Sequence, residues 1–384
     1  MLYRPEDFEP LTDEPWDAER VRDAIRAIIA DTDAAYGGDD LWPADEWDGW
    51  QAALPMKSLY CGASGVVWAL DVLRKRGHAQ TRLDLADAAA RTLAAWRREP
   101  DFMNGMELPA QRQSSLLCGE TGILVVAWRL AQSRELADDL FARVKENAHN
   151  AVNELMWGSP GTMIAAHAMA GWTGEQRWLD VWSESADALD SARDADGFWT
   201  QHLYGDTARY LGPAHGYVGN VLALRQGGRA DGVAAAAVLA DRALVEDGLA
   251  NWAPRDGSRD DGIRVQWCHG APGIVTSAAD YLGEDLLLAG AELTWRAGPL
   301  GTEKGPGLCH GTAGNGYAFL KTFARTGDEH WLVRARRFAV HALGQVARRG
   351  HGHYSLWTGD LGVALYAADC LDGRSAYPVI DGWD

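Results

Sequence analysis

No apolar stretch in this chain runs uninterrupted for about 18 residues, so nothing in it reads as a membrane-spanning helix. Basic residues are also short: 36 Lys and Arg stand against 54 Asp and Glu, a net charge of −18. Phosphate contacts need basic patches, so nucleic acid is excluded as a partner. The plain account of the excess acid is solubility. The opening "MLYRPEDFEPLTDEP" lacks both the basic head and the apolar segment of a secretory signal. Cysteines are few, odd in number (five) and widely spread, which argues against a disulfide framework. A reducing, cytoplasmic location is expected. Alternation of β-branched residues is rare, so few strands and an all-α class are expected. What the chain has in quantity is apolar residues: 47% of 384, enough for a sizeable core and too many for disorder.

It also has a repeat. A small or aromatic residue, Gly, two residues, Gly and then an apolar run recur seven times: "YCGASGVVWAL", "LCGETGILVVAW", "LMWGSPGTMIAA", "PAHGYVGNVLAL", "WCHGAPGIVTSA", "LCHGTAGNGYAF" and "LWTGDLGVALYA". The first glycines are Gly62, Gly119, Gly158, Gly216, Gly270, Gly311 and Gly359, in steps of 57, 39, 58, 54, 41 and 48 residues. Such a step is too long for one helix and right for a helix pair with its loops. The first glycine permits a tight, left-handed turn, and the second lets the helix start approach another backbone closely. The run that follows is apolar on nearly every face, as in "VVWALDVL", which marks a helix buried all round.

Amphipathic segments lie between the copies. "RLDLADAAARTLAAWRR" sets Leu85, Ala88, Ala89, Leu93 and Trp96 at helical spacing, and "WLVRARRFAVHAL" does so with Leu332, Ala335, Phe338, Ala339 and Ala342. Seven inner helices alternating with seven outer ones predict an α/α toroid, with an open solenoid as the alternative. All seven turns would then lie at one end of the inner barrel, where a site is to be sought. Residues 1–55 read as an N-terminal arm or cap and 56–384 as a single toroid domain. Within the former, acidic "DDLWPADEWDGW" caps the toroid or lines its mouth; plain packing is the simpler account.

Cys268, Cys309 and His310 sit at the turns of repeats five and six, which would be spatial neighbours. Two thiolates, one imidazole and an open fourth position match a catalytic zinc site, and the softness of the donors favours zinc over magnesium or calcium. Buried structural cysteines are the plainer alternative, and that role is assigned to Cys61 and Cys118. His215, in the turn of repeat four, is an acid candidate or else a packed imidazole.

Taken together and in order, the glycine turns with "AHGYVGN", "WCHGAPG" and "LCHGTAGN" resemble the lanthionine synthetase C-like (LanC-like) family. The resemblance runs from Tyr60 to the last residue. "QWCHGAPG", "GLCHGTAGNGYAFL" and "YSLWTGDLG" are closer to its eukaryotic-type branch than to dedicated lantibiotic cyclases. It implies an α/α toroid and one zinc held by Cys268, Cys309 and His310. The implied chemistry is addition of a cysteine thiol to dehydroalanine or dehydrobutyrine, giving a thioether; in eukaryotic-type relatives the thiol comes from glutathione. His215 matches the family's catalytic histidine, and His269 stands where cyclases carry a tyrosine. Arg264 matches a catalytic arginine. Glu154 falls where cyclases have an aspartate that orients the histidine, with an Asp-to-Glu change. Lys304 matches a glutathione-contacting lysine and is a substrate-binding candidate. No dehydratase domain is recognisable, so a dehydrated peptide or protein substrate would come from a separate dehydratase or kinase/lyase.

Two other readings compete. A carbohydrate-active toroid would use paired carboxylates and aromatic platforms; the 18 tryptophans fit that, but no acidic pair sits at the turns. A non-catalytic zinc-containing scaffold would bind a peptide without turnover.

Overall fold

Every Gly-x-x-Gly turn leads straight into a helix. In the computed structural model, which describes residues 1–48, 54–103, 106–107, 113–258 and 262–384, these are α2 (Ala63–Lys75), α4 (Glu120–Ala131), α6 (Ser159–Thr173), α8 (Tyr217–Gln226), α10 (Ala271–Ala278), α12 (Thr312–Thr326) and α14 (Asp360–Asp372). Each packs on the next in that order, and α14 returns against α2, so the ring is closed. The fold is an all-α toroid. Around the ring lie α3 (Leu85–Arg98), α5 (Arg134–Asn147), α7 (Gln176–Ser191), α9 (Gly232–Arg242), α11 (Glu284–Ala297) and α13 (Glu329–Arg349). Helix α1 (Ala18–Ala35) packs on α14 and α13 from outside.

The second glycine of each turn does the work the sequence suggests, and the first, in all but one copy, does not. Six of the seven first glycines have extended backbones, and only Gly270, at φ +108°, needs the left-handed region. What the motif requires is closeness. A Cβ on the second glycine would strike the carbonyl oxygen six residues earlier, 2.3 Å away at Gly65 and 1.7 Å at Gly273 and Gly314. The apolar residue at that carbonyl (Leu59, Trp267, Leu308) then points into the core beneath the turn.

Backbone hydrogen bonds tie the turns together across the ring. Tyr60 N donates to Leu117 O (2.8 Å), Met156 N to Ala214 O (3.2 Å), Cys268 N to Cys309 O (3.2 Å), Cys309 N to Trp357 O (2.9 Å) and Trp357 N to Tyr60 O (3.0 Å). The inner helices have glycine N-caps without side-chain bonds, whereas α1, α3, α5, α9 and α13 begin on Asp17, Asp84, Ser133, Asp231 and Asp328, whose side chains accept first-turn N–H groups. Such caps stabilise a helix by about 1 kcal/mol each.

Among the described residues, strand is confined to three short antiparallel pairs: β1 (Phe102–Met103) with β2 (Met106–Glu107), β3 (Gln201–Leu203) with β4 (Asp206–Ala208), and β5 (Leu244–Glu246) with β6 (Leu249–Asn251). The β3–β4 tip is Tyr204-Gly205, both at positive φ (54° and 80°), as a two-residue hairpin turn of this hand requires. No described helix is long and apolar enough to cross a membrane.

Candidate metal centre and catalytic cavity

At the end of the barrel where the turns gather lies a cavity of about 260 Å³. Its wall takes Tyr60 and Cys61 from the first turn, Cys118 from the second, Met156 and Trp157 from the third, His215 from the fourth, Cys268 and His269 from the fifth, and Cys309 and His310 from the sixth. Cys61 and Cys118, expected to be structural, thus also face it.

The donor atoms of Cys268, Cys309 and His310 lie within 4.8 Å of one another, with Cys268 Sγ 3.8 Å from His310 Nδ1. Among the described residues this is the one such group of His, Cys, Asp or Glu donors. Both sulfurs are buried, and Gln266 Nε2 donates to Cys268 Sγ at 2.9 Å. Burial opposes charge at Cys268, but the hydrogen bond from Cys309 and the imidazoles of His269 and His310 outweigh it and hold the thiol well below its ordinary value. At Cys309, burial and then the adjacent Cys268 push the thiol well above. The group has the donor set and the spacing to hold a soft metal cation.

Glu154 is fully buried beneath the third turn. Its Oε1 accepts from Trp157 N (2.6 Å) and its Oε2 from Met156 N (2.9 Å) and His215 Nδ1 (2.8 Å). One carboxylate therefore shapes the turn and fixes the imidazole, which needs Nδ1–H as the donor and leaves Nε2 for the cavity. The His269 ring centroid is 6.0 Å from that of His215, and burial lowers the His269 imidazole to about 4. Arg264 is exposed at the cavity edge and, among the described residues, makes no ion pair. Lys304 is also exposed and lines both this cavity and a neighbouring one of about 280 Å³.

The family model for lanthionine synthetase C-like proteins matches residues 105–381. The chain belongs to the LanC-like family. It is similar to the glutathione S-transferase LANCL1 of Danio rerio, with 27% identity over 322 residues, 74% of this chain and 78% of that protein. It is also similar to the LanC-like protein GCL1 of Arabidopsis thaliana, 30% identical over 112 residues, a quarter of each chain (25%). In fold it resembles nisin cyclase, with a TM-score of 0.62 at 14% identity, covering 93% of this chain and 95% of that one.

This LanC-like cavity has parts that sequence motifs did not supply. Trp47 lies over His310, ring centroids 5.0 Å apart. It belongs to the acidic stretch read as a cap, a mouth lining or plain packing; Gly49 and Trp50 of that stretch fall outside the described residues. Its neighbour Asp48 is buried, bonds His353 through Oδ2, and has no partner at Oδ1 among the described residues. Tyr204, at the β3–β4 tip, takes a hydrogen bond from Trp157 Nε1 (3.1 Å) and stands edge-on to His215. Arg348 and His351 line the second cavity with Lys304 and His310. Only the tryptophan-rich stretch could have hinted at any of these.

Proposed function

We propose that this LanC-like protein forms thioethers, adding a thiol to Cβ of dehydroalanine or dehydrobutyrine in a peptide or protein, with one zinc ion held by Cys268, Cys309 and His310. The observation that carries this is the meeting in one cavity of a three-donor soft site and the Glu154–His215 dyad. Three protein donors suit a catalytic zinc whose fourth position is open. Zinc there would supply a deprotonated thiol at neutral pH.

The rest falls to the chain's own groups. Addition forms the S–Cβ bond and moves the Cα=Cβ electron pair onto the carbonyl as an enolate; Cα then takes a proton. His215, steadied by Glu154 at Nδ1, is the donor to Cα. Arg264 opposes the charge growing on the enolate oxygen. His269 is the second acid candidate on the same wall, but with its imidazole lowered to about 4 it is uncharged at neutral pH and offers only a neutral N–H. The substrate arrives already dehydrated by a separate dehydratase or kinase/lyase. Carbohydrate chemistry is disfavoured because the buried acids at the turns are committed: Asp101 pairs with Lys57 at 3.2 Å, and Glu154 with His215.

Intermolecular addition of glutathione or another small anionic thiol is the second reading. It is favoured by the neighbouring cavity, where Lys304, Arg348 and His351 gather beside His310. One experiment separates the readings. Purified protein is assayed for zinc, then incubated with a dehydrated peptide bearing cysteine, with and without glutathione. About one zinc per chain, lost in Cys309→Ala, is expected. Thiol loss at constant mass means ring closure, and a mass gain with glutathione means intermolecular addition. Tight peptide binding with neither outcome leaves a zinc-containing scaffold, and folded wild type without zinc sinks the proposal.

A further inference from the structure

After α14 the chain turns back, and residues 377–380 with Trp383 pack against the inner helices beneath the turns. Tyr377, Ile380 and Trp383 are all buried there. Tyr377 reaches furthest toward the metal centre. Its ring lies parallel to the indole of Trp267, centroids 4.9 Å apart at 9°. Its hydroxyl donates to the carbonyl of Leu308 at 2.8 Å. Trp267 is the residue before Cys268, and Leu308 is the residue before Cys309. The same ring lies 5.5 Å from Trp357, whose carbonyl accepts the N–H groups of Leu308 and Cys309 at 2.8 and 2.9 Å.

One side chain thus touches the residues that precede both cysteines of the donor group. The hydroxyl fixes the Leu308–Cys309 peptide plane, and the stack fixes the height of the turn that carries Cys268. We infer that Tyr377 is a positioning residue of the metal centre, setting the distance between Cys268 and Cys309 from below. The inference rests on the metal reading of the proposed function.

The segment that carries Tyr377 is itself held firmly. Tyr377 N donates to Asp381 Oδ2 at 2.8 Å, and the same oxygen meets Lys321 Nζ at 2.6 Å. Gln226 Nε2 donates to Ile380 O (2.9 Å), and Trp68 Nε1 to Trp383 O (3.2 Å). Val379 is fully buried at φ +68°, a conformation a β-branched residue keeps only where its surroundings over-determine it. A rigid support of this kind is what precise ligand spacing requires, because loss of a group that orients a metal ligand typically weakens the metal by about 10–100-fold.

A plain core role would predict lost stability with an unaltered metal site, so the test measures both. Tyr377→Phe keeps the stack and removes only the hydrogen bond; Tyr377→Leu removes both. Zinc affinity is read by chelator competition, ligand geometry by the absorption spectrum of the cobalt-substituted protein, and folding by melting of the chelator-treated protein. Tyr377→Phe is expected to weaken zinc by about tenfold or more and to shift the sulfur-to-cobalt bands, with little change in melting. Tyr377→Leu is expected to weaken zinc further. Wild-type affinity and spectrum in the Phe variant overturn the inference, even if the Leu variant fails to fold. A wild type that binds neither zinc nor cobalt overturns the metal reading and the inference with it; a wild type that binds both alongside unchanged variants overturns the inference alone.

Discussion

At His215, the proposed chemistry gives holding the ring and donating a proton to separate residues. Glu154 is inaccessible to substrate and spends three hydrogen bonds on Met156 N, Trp157 N and His215 Nδ1. His215→Ala is expected to lower turnover by about 10²–10⁴-fold, the usual range for a general acid, with zinc content unchanged. Glu154→Gln keeps an acceptor for the turn but loses the charge that faces the imidazole, so a smaller loss of turnover is expected. Steady-state kinetics beside metal analysis check both; zinc lost with His215→Ala would move that residue from proton transfer to structure. The residues carrying this chemistry were unevenly visible in the chain. Cys268 and Cys309 with His310 stand out because repeats five and six are the two copies that place Cys-His before the first glycine, and His215 because repeat four shares that histidine with them. Glu154 is one of 54 acidic residues, and only resemblance singled it out. The Asp48–His353 contact spans 305 positions, and no local pattern announces it.

At the scale of elements, the turn motif and the helix it starts obey separate rules that mutation can separate. Gly273 has no room: an added Cβ would lie 1.7 Å from Trp267 O, a backbone atom. Gly171, near the end of α6, has nothing within 4 Å of the same position. Gly273→Ala is therefore expected to destabilise the fold by about 3 kcal/mol or more, and Gly171→Ala to stabilise it by about 0.5–1 kcal/mol. Denaturant melts check the pair, and a neutral Gly273→Ala would deny the close approach. The periodicity of glycines and apolar runs made the inner helices legible, and the Leu85-to-Trp96 spacing did so for α3. Extended φ at six of the first glycines was not legible, because glycine serves close approach and positive φ alike. The segment around Trp47 carries a pH dependence. Burial opposes charge on His353, but the hydrogen bond and charge of Asp48, with Asp45 and Asp360 close by and Arg349 paired to Asp360, prevail and raise the imidazole above 6.5. A raised value in the fold stabilises fully below 6.5, and the gain is lost as pH rises through the folded value. Proteolysis of residues 41–48 is thus expected to quicken as pH rises from 6.5 through the folded value, and His353→Gln to remove most of that pH dependence. Equal cleavage rates across this range in the wild type would count against a titrating His353–Asp48 contact.

The whole molecule depends on closure, which a repeat in sequence implies but does not demonstrate: the same seven copies would suit an open stack. Closure rests on particular contacts between distant parts, Trp357 N to Tyr60 O at 3.0 Å and α14 against α2. Helix α1 has no glycine turn before it and no repeat signal, so its seat beside α14 and α13 could not be read from the chain. That seat is apolar. Val21, Ile25, Ile28 and Ile29 of α1 are all buried. At about 1.5–3 kcal/mol for each aliphatic side chain buried, they contribute roughly 6–12 kcal/mol as an upper figure. A folded domain keeps only about 5–15 kcal/mol in total. Removing residues 1–36 would therefore take away most of the margin and expose the outer face of α14, the helix that closes the ring onto α2. The truncated protein is expected to aggregate, or to lose its cooperative thermal transition in circular dichroism. The proposed metal donors sit on the fifth and sixth turns, and the sixth is tied through Trp357 to the seventh turn, at the start of α14. Zinc retention should fall with the melt rather than independently of it. A truncated chain that stays monomeric and melts within a few degrees of the intact one would show that the ring closes without α1.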